Sequence, residues 1–170
     1  MRTYVHRNGA DPGVWFFSLD ASSSLAVAAA RAVYKLRYLH GKIDFSATGA
    51  PLSQVAFESH RDDARGPMPA HADVRYSPAD AVIRPAPAGT LEHFLMERYI
   101  LYAEDDDHQL HRARVHHSPY PIQRAEVSHL DETLIWAAGV RRSEDVPLRH
   151  YVREVNVKVY PPERVTGIRS

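Results

Sequence analysis

The sequence predicts an α+β fold on three observations: most patterned segments alternate with a period of two residues, three short segments repeat at helical spacing between them, and no internal repeat or low-complexity stretch is present. At 170 residues the chain has the size of one ordinary domain, which sets the expectation of a single domain over 1–170.

Residues 2–8 read as a strand, and Asn8-Gly9 with Asp11-Pro12-Gly13 supplies turn chemistry for a hairpin reversal. Residues 14–19 are apolar on both alternating faces, the pattern of a central strand. Ser22, Ser23 and Ser24 offer N-caps to a helix in which Leu25, Ala28, Ala29, Ala32 and Val33 recur at three-four spacing, predicting a buried stripe. Gly41 is expected to interrupt. Around it His40, Lys42, Asp44 and Ser46 alternate with Ile43, Phe45 and Ala47, as in a half-buried strand, and 54–59 reads as another.

Prolines and charges make 62–89 loop-rich and partly mobile around one strand-like piece, 72–76. Thr90 caps a short helix with Leu91, Phe94 and Leu95 on one face and Glu92 in its positive first turn. Strands at 99–102 and 109–117 then flank an Asp105-Asp106-Asp107 turn. In the second of them His111, Ala113, Val115 and His117 share one face, and Leu110, Arg112, Arg114 and His116 the other. Pro119-Tyr120-Pro121 ends it. A strand at 122–127 precedes a helix capped by Asp131, carrying Leu134, Ile135 and Ala138 and stopped at Gly139. Val155, Val157 and Val159 alternate with polar neighbours as a final strand.

Lys plus Arg and Asp plus Glu balance at 21 each, so no global field recruits nucleic acid or an acidic membrane, and neither is expected as a partner. The chain has no cysteine, which removes disulfides, thiolate nucleophiles and Cys-type zinc sites. It has no apolar run long enough to cross a bilayer and no signal-peptide layout at its start, and the expected compartment is the cytoplasm. Eleven histidines make charge rise as pH falls through the imidazole range.

Four blocks carry a resemblance. They are Arg2-Thr3-Tyr4-Val5; Gly13-Val14-Trp15-Phe16-Phe17-Ser18-Leu19-Asp20-Ala21 with Ala30-Arg31 and Tyr38; Leu95-Met96-Glu97-Arg98-Tyr99 with Leu101-Tyr102; and His116-His117-Ser118-Pro119-Tyr120-Pro121. Together they resemble the YqjF family, a bacterial domain of unknown function that is similar in turn to the acetoacetate decarboxylase-like superfamily. That resemblance implies a mostly antiparallel curved sheet or cone-shaped β-barrel, flanked by the three helices, around an internal pocket. It also implies further strands before Met1, a position the family commonly fills with valine. GUG encodes valine and can start translation, so the expected native chain is longer; an intact mass equal to 170 residues would refute this.

The superfamily's named enzyme uses a lysine made nucleophilic by a neighbouring cation to form a Schiff base with a carbonyl substrate. By the resemblance that lysine position holds Tyr38 or Leu39 here, while the arginine is kept as Arg31. Lys35 and Lys42 are the nearby alternatives, set against ordinary solvated lysines. Arg31 has two open readings: a guanidinium fork for a carboxylate ligand, or an internal ion pair with Glu97 or Asp20. Glu97 and Arg98 at the helix-to-strand junction are polar contacts for a substrate or a structural pair. His116 and His117 point to opposite faces and cannot chelate one ion in a regular strand, so no metal site is expected, though one of them faces the pocket. Tyr4, Tyr38, Tyr99 and Tyr120 are candidate lining residues, or core rings with a polar tip. No Gly-x-Ser-x-Gly elbow or phosphate-cradling loop is present, and no cofactor is expected.

Two functions follow as expectations. One is binding of a small acidic or carbonyl-containing molecule through Arg31, Tyr38, Glu97, Arg98, Tyr99, His116, His117 and Tyr4, without Schiff-base lysine chemistry. The other is a non-catalytic protein whose exposed sheet edge mediates homo-oligomerisation.

Overall fold

The computed structural model describes residues 1–49 and 54–166. Its strands are β1 (Arg2–Arg7), β2 (Ala10–Phe16), β3 (Leu19–Ala21), β4 (Tyr38–Thr48), β5 (Gln54–Arg61), β6 (His71–Pro78), β7 (Ile100–Glu104), β8 (Leu110–His116), β9 (Gln123–Glu132), β10 (His150–Tyr151), β11 (Lys158–Val159) and β12 (Glu163–Arg164). The helices are α1 (Ser24–Tyr34), α2 (Leu91–Met96) and α3 (Leu134–Ala137). They form two mixed sheets. One has the order β1-β2-β7-β8-β11, with β12 also on β8, and the other β10-β9-β6-β5-β4-β3. One sheet curls as a half-barrel. Among the described residues only β2/β7 and β3/β4 pair in parallel. The α+β class and the mostly antiparallel curved sheet hold.

The first reversal needs only Asn8 and Gly9, both at positive φ. Asp11, Pro12 and Gly13 lie inside β2 rather than in the turn, because β1 pairs all the way to Arg7↔Ala10. Gly13 is needed there for close approach: a Cβ would stand 2.6 Å from the Ile100 carbonyl oxygen and 2.8 Å from the Tyr102 ring. The expected strand 14–19 is divided. Val14 and Trp15 lie beside β7, and the chain then crosses at Phe17 and Ser18 to open the second sheet as β3.

α1 begins where the serines predict, with the Ser23 hydroxyl accepting from the Ala26 N–H. Its buried stripe is different from the expected one. Leu25 is 81% exposed, and Ala28, Ala29, Ala32 and Val33 also face outward, while Val27, Ala30, Arg31 and Tyr34 turn inward. The helix is apolar nearly all round, so spacing alone offers two faces, and the sheets select the one that carries Tyr34 onto the core of Val14, Leu101 and Ala113.

Three further expectations change for stated reasons. Gly41 does not interrupt β4 but sits within it opposite Arg61, close enough to the His60 carbonyl for a Cβ to meet it at 3.0 Å. Asp131 does not cap α3, because β9 continues through it; Thr133 takes the cap position without a side-chain bond, and the Glu132 carboxylate accepts from the Ile135 N–H at 3.0 Å. The final strand shrinks to β11. Pro161 and Pro162 lack N–H donors, and β12 resumes pairing on β8 one residue out of step. Between 62 and 89 the strand-like piece is a full central strand, β6, flanked by β5 and β9.

The crossover is clamped by Arg61, whose side chain is 1% exposed. Its Nε donates to Asp20 Oδ1 at 2.8 Å, one terminal nitrogen to Asp20 Oδ2 and to the Ser18 hydroxyl, and the other to the Pro67 carbonyl at 3.0 Å. Breaking a buried pair leaves an uncompensated charge. Arg61→Ala should therefore cost about 3–5 kcal/mol and lower the thermal midpoint by roughly 10 °C. Arg65→Ala removes a solvent-exposed partner of Asp63, which keeps the His40 N–H, and should lower the midpoint by less than Arg61→Ala does. Thermal unfolding followed by circular dichroism checks both, and equal losses would discount the clamp.

Candidate functional site

α1, the segment after it, the 65–67 loop and the β7–β8 turn enclose an open-sided cavity of about 850 Å³, within the size range of small-molecule sites. Phe17, Ala28, Ala32, Leu36 and Leu39 give it an apolar floor. Arg31, Lys35, Arg37 and Arg65 supply cations on one side, and Glu104, Asp105, Asp106 and Asp107 acids on the other. No ion pair joins the two sides among the described residues.

Arg31 reaches the cavity from the inward stripe of α1. One terminal nitrogen donates to the Tyr38 carbonyl oxygen at 3.2 Å, and no carboxylate of the described residues lies within ion-pairing range. The expected alternative of an internal pair with Asp20 or Glu97 is not formed. Asp20 is taken by Arg61, and Glu97 lies in another cluster. Tyr38 meets Arg31 through its backbone, as the first residue of β4 beside Leu19. Lys35 ends α1 in a left-handed conformation with its ammonium on the Ala32 carbonyl at 3.0 Å, and Lys42 is exposed on β4.

The rim is held by two carboxylates that the residue pattern did not single out. Asp63 accepts from Arg65 Nε at 2.7 Å and from the His40 N–H at 3.0 Å, and the Arg65 hydrogen bonds hold its carboxyl well below the usual range. Asp62 accepts from the His40 ring at 2.6 Å, which raises the imidazole pKa. The two contacts to His40 join residues more than twenty positions apart, so no local spacing marks them, whereas Asp63 and Arg65 are two residues apart.

The other candidates gather where α2 meets β7. Glu97, 7% exposed, has both oxygens engaged: Oε1 accepts from the Tyr120 N–H at 3.0 Å and Oε2 from the Tyr99 hydroxyl in a short contact. His117, 4% exposed, stacks on Tyr99 at 4.6 Å and meets the edge of Tyr120 at 4.6 Å. Its ring nitrogens face the Ser118 and Arg98 carbonyl oxygens at 2.8 and 3.3 Å. The β8 alternation thus buries His117 and leaves His116 exposed. Arg98 lies over the Phe94 ring at 4.0 Å and donates to the Glu97 carbonyl, with no pair to the Glu97 carboxylate. Tyr4 stands apart against Phe94, its hydroxyl on the Leu95 carbonyl at 3.0 Å. Tyr99 and His116 also line a groove of about 790 Å³ with Arg112, Arg114 and Tyr160.

The candidate residues therefore divide into Arg31 with Tyr38 at the α1 cavity and Glu97, Arg98, Tyr99 and His117 at the α2–β7 junction. No hydrogen bond or ring contact connects the two groups. Among the described residues no cluster of three or more His, Asp or Glu is placed to hold a metal ion, and no helix is long and apolar enough to cross a membrane.

Residues 1–156 match the DUF2071 family, described as "Uncharacterized conserved protein". The chain belongs to this family. It is 33% identical over 161 residues to the "Uncharacterized protein YqjF" of Bacillus subtilis (strain 168), a match that covers 95% of the chain. The same match covers 63% of that relative, so the DUF2071 chain spans less than two thirds of its length. No solved structure gives a significant match.

The Glu97 contact, reinforced by burial, pushes the Tyr99 hydroxyl up to about 12. Because the folded chain holds this proton more tightly than an unfolded one, the stability it contributes is full below pH 10 and is lost as pH rises through about 12. A spectrophotometric titration should show one tyrosine ionising late, and Glu97→Gln should return it toward 10. An unchanged titration in the variant would remove Glu97 as the cause.

Proposed function

We propose that the chain binds a small acidic or carbonyl-containing molecule in the α1 cavity, with Arg31 as its anchoring cation and without Schiff-base lysine chemistry. The observation that carries this reading is the state of the Arg31 guanidinium. It is half-buried on an apolar-floored cavity, holds one backbone carbonyl, and has donors left over with no carboxylate partner. A guanidinium removed from bulk water needs acceptors, and a planar carboxylate answers two parallel donors at once. Lys35 and Arg37 also line the cavity and attract an anion, in opposition to the acids at 104–107, and Phe17 and Leu36 give its carbon skeleton an apolar contact. Tyr38 contributes by fixing the guanidinium through its carbonyl, leaving its hydroxyl outside that role.

The lysines suit charge and capping better than covalent attack. A Schiff-base amine must be largely neutral, by desolvation or a crowding cation. Lys35 is exposed and its ammonium closes the helix end, and Lys42 is exposed on the opposite face of β4 from the apolar row. Glu97, Tyr99 and His117 satisfy one another and the backbone, which fits a brace between α2, β7 and the segment after β8.

Screening small mono- and dicarboxylates and keto acids by thermal shift should find a compound that raises the midpoint by roughly 5–10 °C at a hundredfold excess over its Kd. Arg31→Ala should abolish the shift while leaving the unliganded midpoint within a few degrees. A shift that survives in Arg31→Ala would move the site elsewhere. Borohydride treatment in the presence of the same keto acids should leave Lys35 and Lys42 unmodified in the intact mass; an adduct on either would overturn the exclusion of lysine chemistry.

A further inference from the structure

The sheet β10-β9-β6-β5-β4-β3 is amphipathic row by row. On one face Asp44, Glu58, Asp73 and Asp131 stand opposite one another across four adjacent strands, relieved by His71 on Asp131 at 3.4 Å and His129 on Asp73 at 3.1 Å. That face belongs in water. The residues one step along in each strand, Phe45, Phe57, Val74 and Leu130, form an equally complete apolar row on the other face. A row of this kind is the inner surface of a sandwich or barrel. Yet Phe45 is 65% exposed and Leu130 40%, with Phe57 and Val74 only half-buried between them.

The exposure is not confined to one row. The chain presents 11448 Å² to solvent. A compact monomer of 19.2 kDa exposes about 8,400 Å², so the surplus is about 3,000 Å². Stable homodimers bury about 2,000–5,000 Å² in total, and the surplus carried by each copy is enough to supply that. A row four strands wide spans roughly 15 Å, an extent that suits another sheet face rather than a metabolite. A second copy has the same uncovered row, and a twofold pairing covers both at once.

We infer that the Phe45–Phe57–Val74–Leu130 face docks against the same face of a second copy of this chain, closing a two-sheet apolar core between protomers. The packing distance is that of stacked sheets, about 10 Å. The acidic rows then lie on the outer surfaces, where their like charge discourages further stacking.

Sedimentation or light scattering on the full 170-residue chain should give twice the 19.2 kDa chain mass, with a thermal midpoint that rises with protein concentration. Phe45→Glu and Leu130→Lys should each shift the mass to that of one chain and keep the far-ultraviolet circular dichroism of the parent. Since the chain has no cysteine, Phe45→Cys gives a single reporter, expected to react with a maleimide at least tenfold more slowly in the dimer than after dissociation by dilution. A parent that is monomeric at all concentrations overturns the inference. So does a dimer that persists in Phe45→Glu and labels freely at position 45, which would place the interface elsewhere. A longer, monomeric polypeptide from the source cell with this face protected assigns the cover to its own residues and likewise overturns it. None of these outcomes depends on a ligand, so the reading of the Arg31 cavity is tested separately.

Discussion

The architecture depends on one buried cation. Between Phe16 and Leu19 the chain leaves one sheet and enters the other, with the Phe17 and Ser18 N–H groups on the Met1 carbonyl at 3.0 and 3.4 Å and the Leu19 N–H on the Arg37 carbonyl at 3.0 Å. Arg61, at the end of β5, adds the side-chain bonds that tie this crossing to the second sheet. Its fork takes both Asp20 oxygens and the Ser18 hydroxyl on the crossing side and the Pro67 carbonyl on the loop side. Gly66 makes room for this, since a Cβ there would lie 2.4 Å from a Leu39 methyl and 3.2 Å from the Arg61 nitrogen. Four donors satisfied by fixed acceptors make the desolvation of a guanidinium tolerable, and the same set fixes β3, β5 and the loop relative to one another.

Fastening the sheets at this point has a consequence for α1. The helix is launched from Ala21 and returns to β4, so its inward stripe must lie between the sheets, bringing Tyr34 to the Val14 core and Arg31 to the cavity wall. Along β4 and β5 the burial is uneven: Leu39, beside the clamp, is buried, the Phe45–Phe57 pair is left partly uncovered, and Val55, one pair further from the clamp on the same face, is buried again.

What was legible in the sequence was whatever local chemistry decides. Asn8-Gly9 reverses the chain because both residues accept positive φ, and Thr90 caps α2 because its hydroxyl reaches the His93 N–H. The alternation through β8 put His116 and His117 on opposite faces, and the structure decides that His117 is the inward one. What failed depended on partners far away in the chain. The α1 stripe was misplaced because alanines surround the helix and only the sheets choose a face. Gly41 and Gly13 look like breaks, yet each is a strand residue pressed against a neighbouring backbone or ring. Asp131 resembles a cap, but β6 pairs with β9 past that point and makes it part of the acidic row.

The same distinction explains the division of the candidate site. Glu97, Tyr99 and His117 stand out in a sequence because they are chemically versatile and close together, and closeness is also what lets them satisfy each other. Both Glu97 oxygens and the Tyr99 hydroxyl are engaged and both His117 ring nitrogens face carbonyl oxygens, so these three side chains turn their polar atoms to the protein, while the buried Arg98 Nε at the same junction has no partner. Arg31 stands out less. Its importance comes from what the fold withholds: Asp20, the acid nearest to it among the sequence candidates, is spent on Arg61, and Asp63 is spent on Arg65. A half-buried arginine that holds one backbone carbonyl and no carboxylate of the described residues keeps donors for something else. The clamp that joins the sheets thus also takes up Asp20, one of the two carboxylates the sequence offered to Arg31.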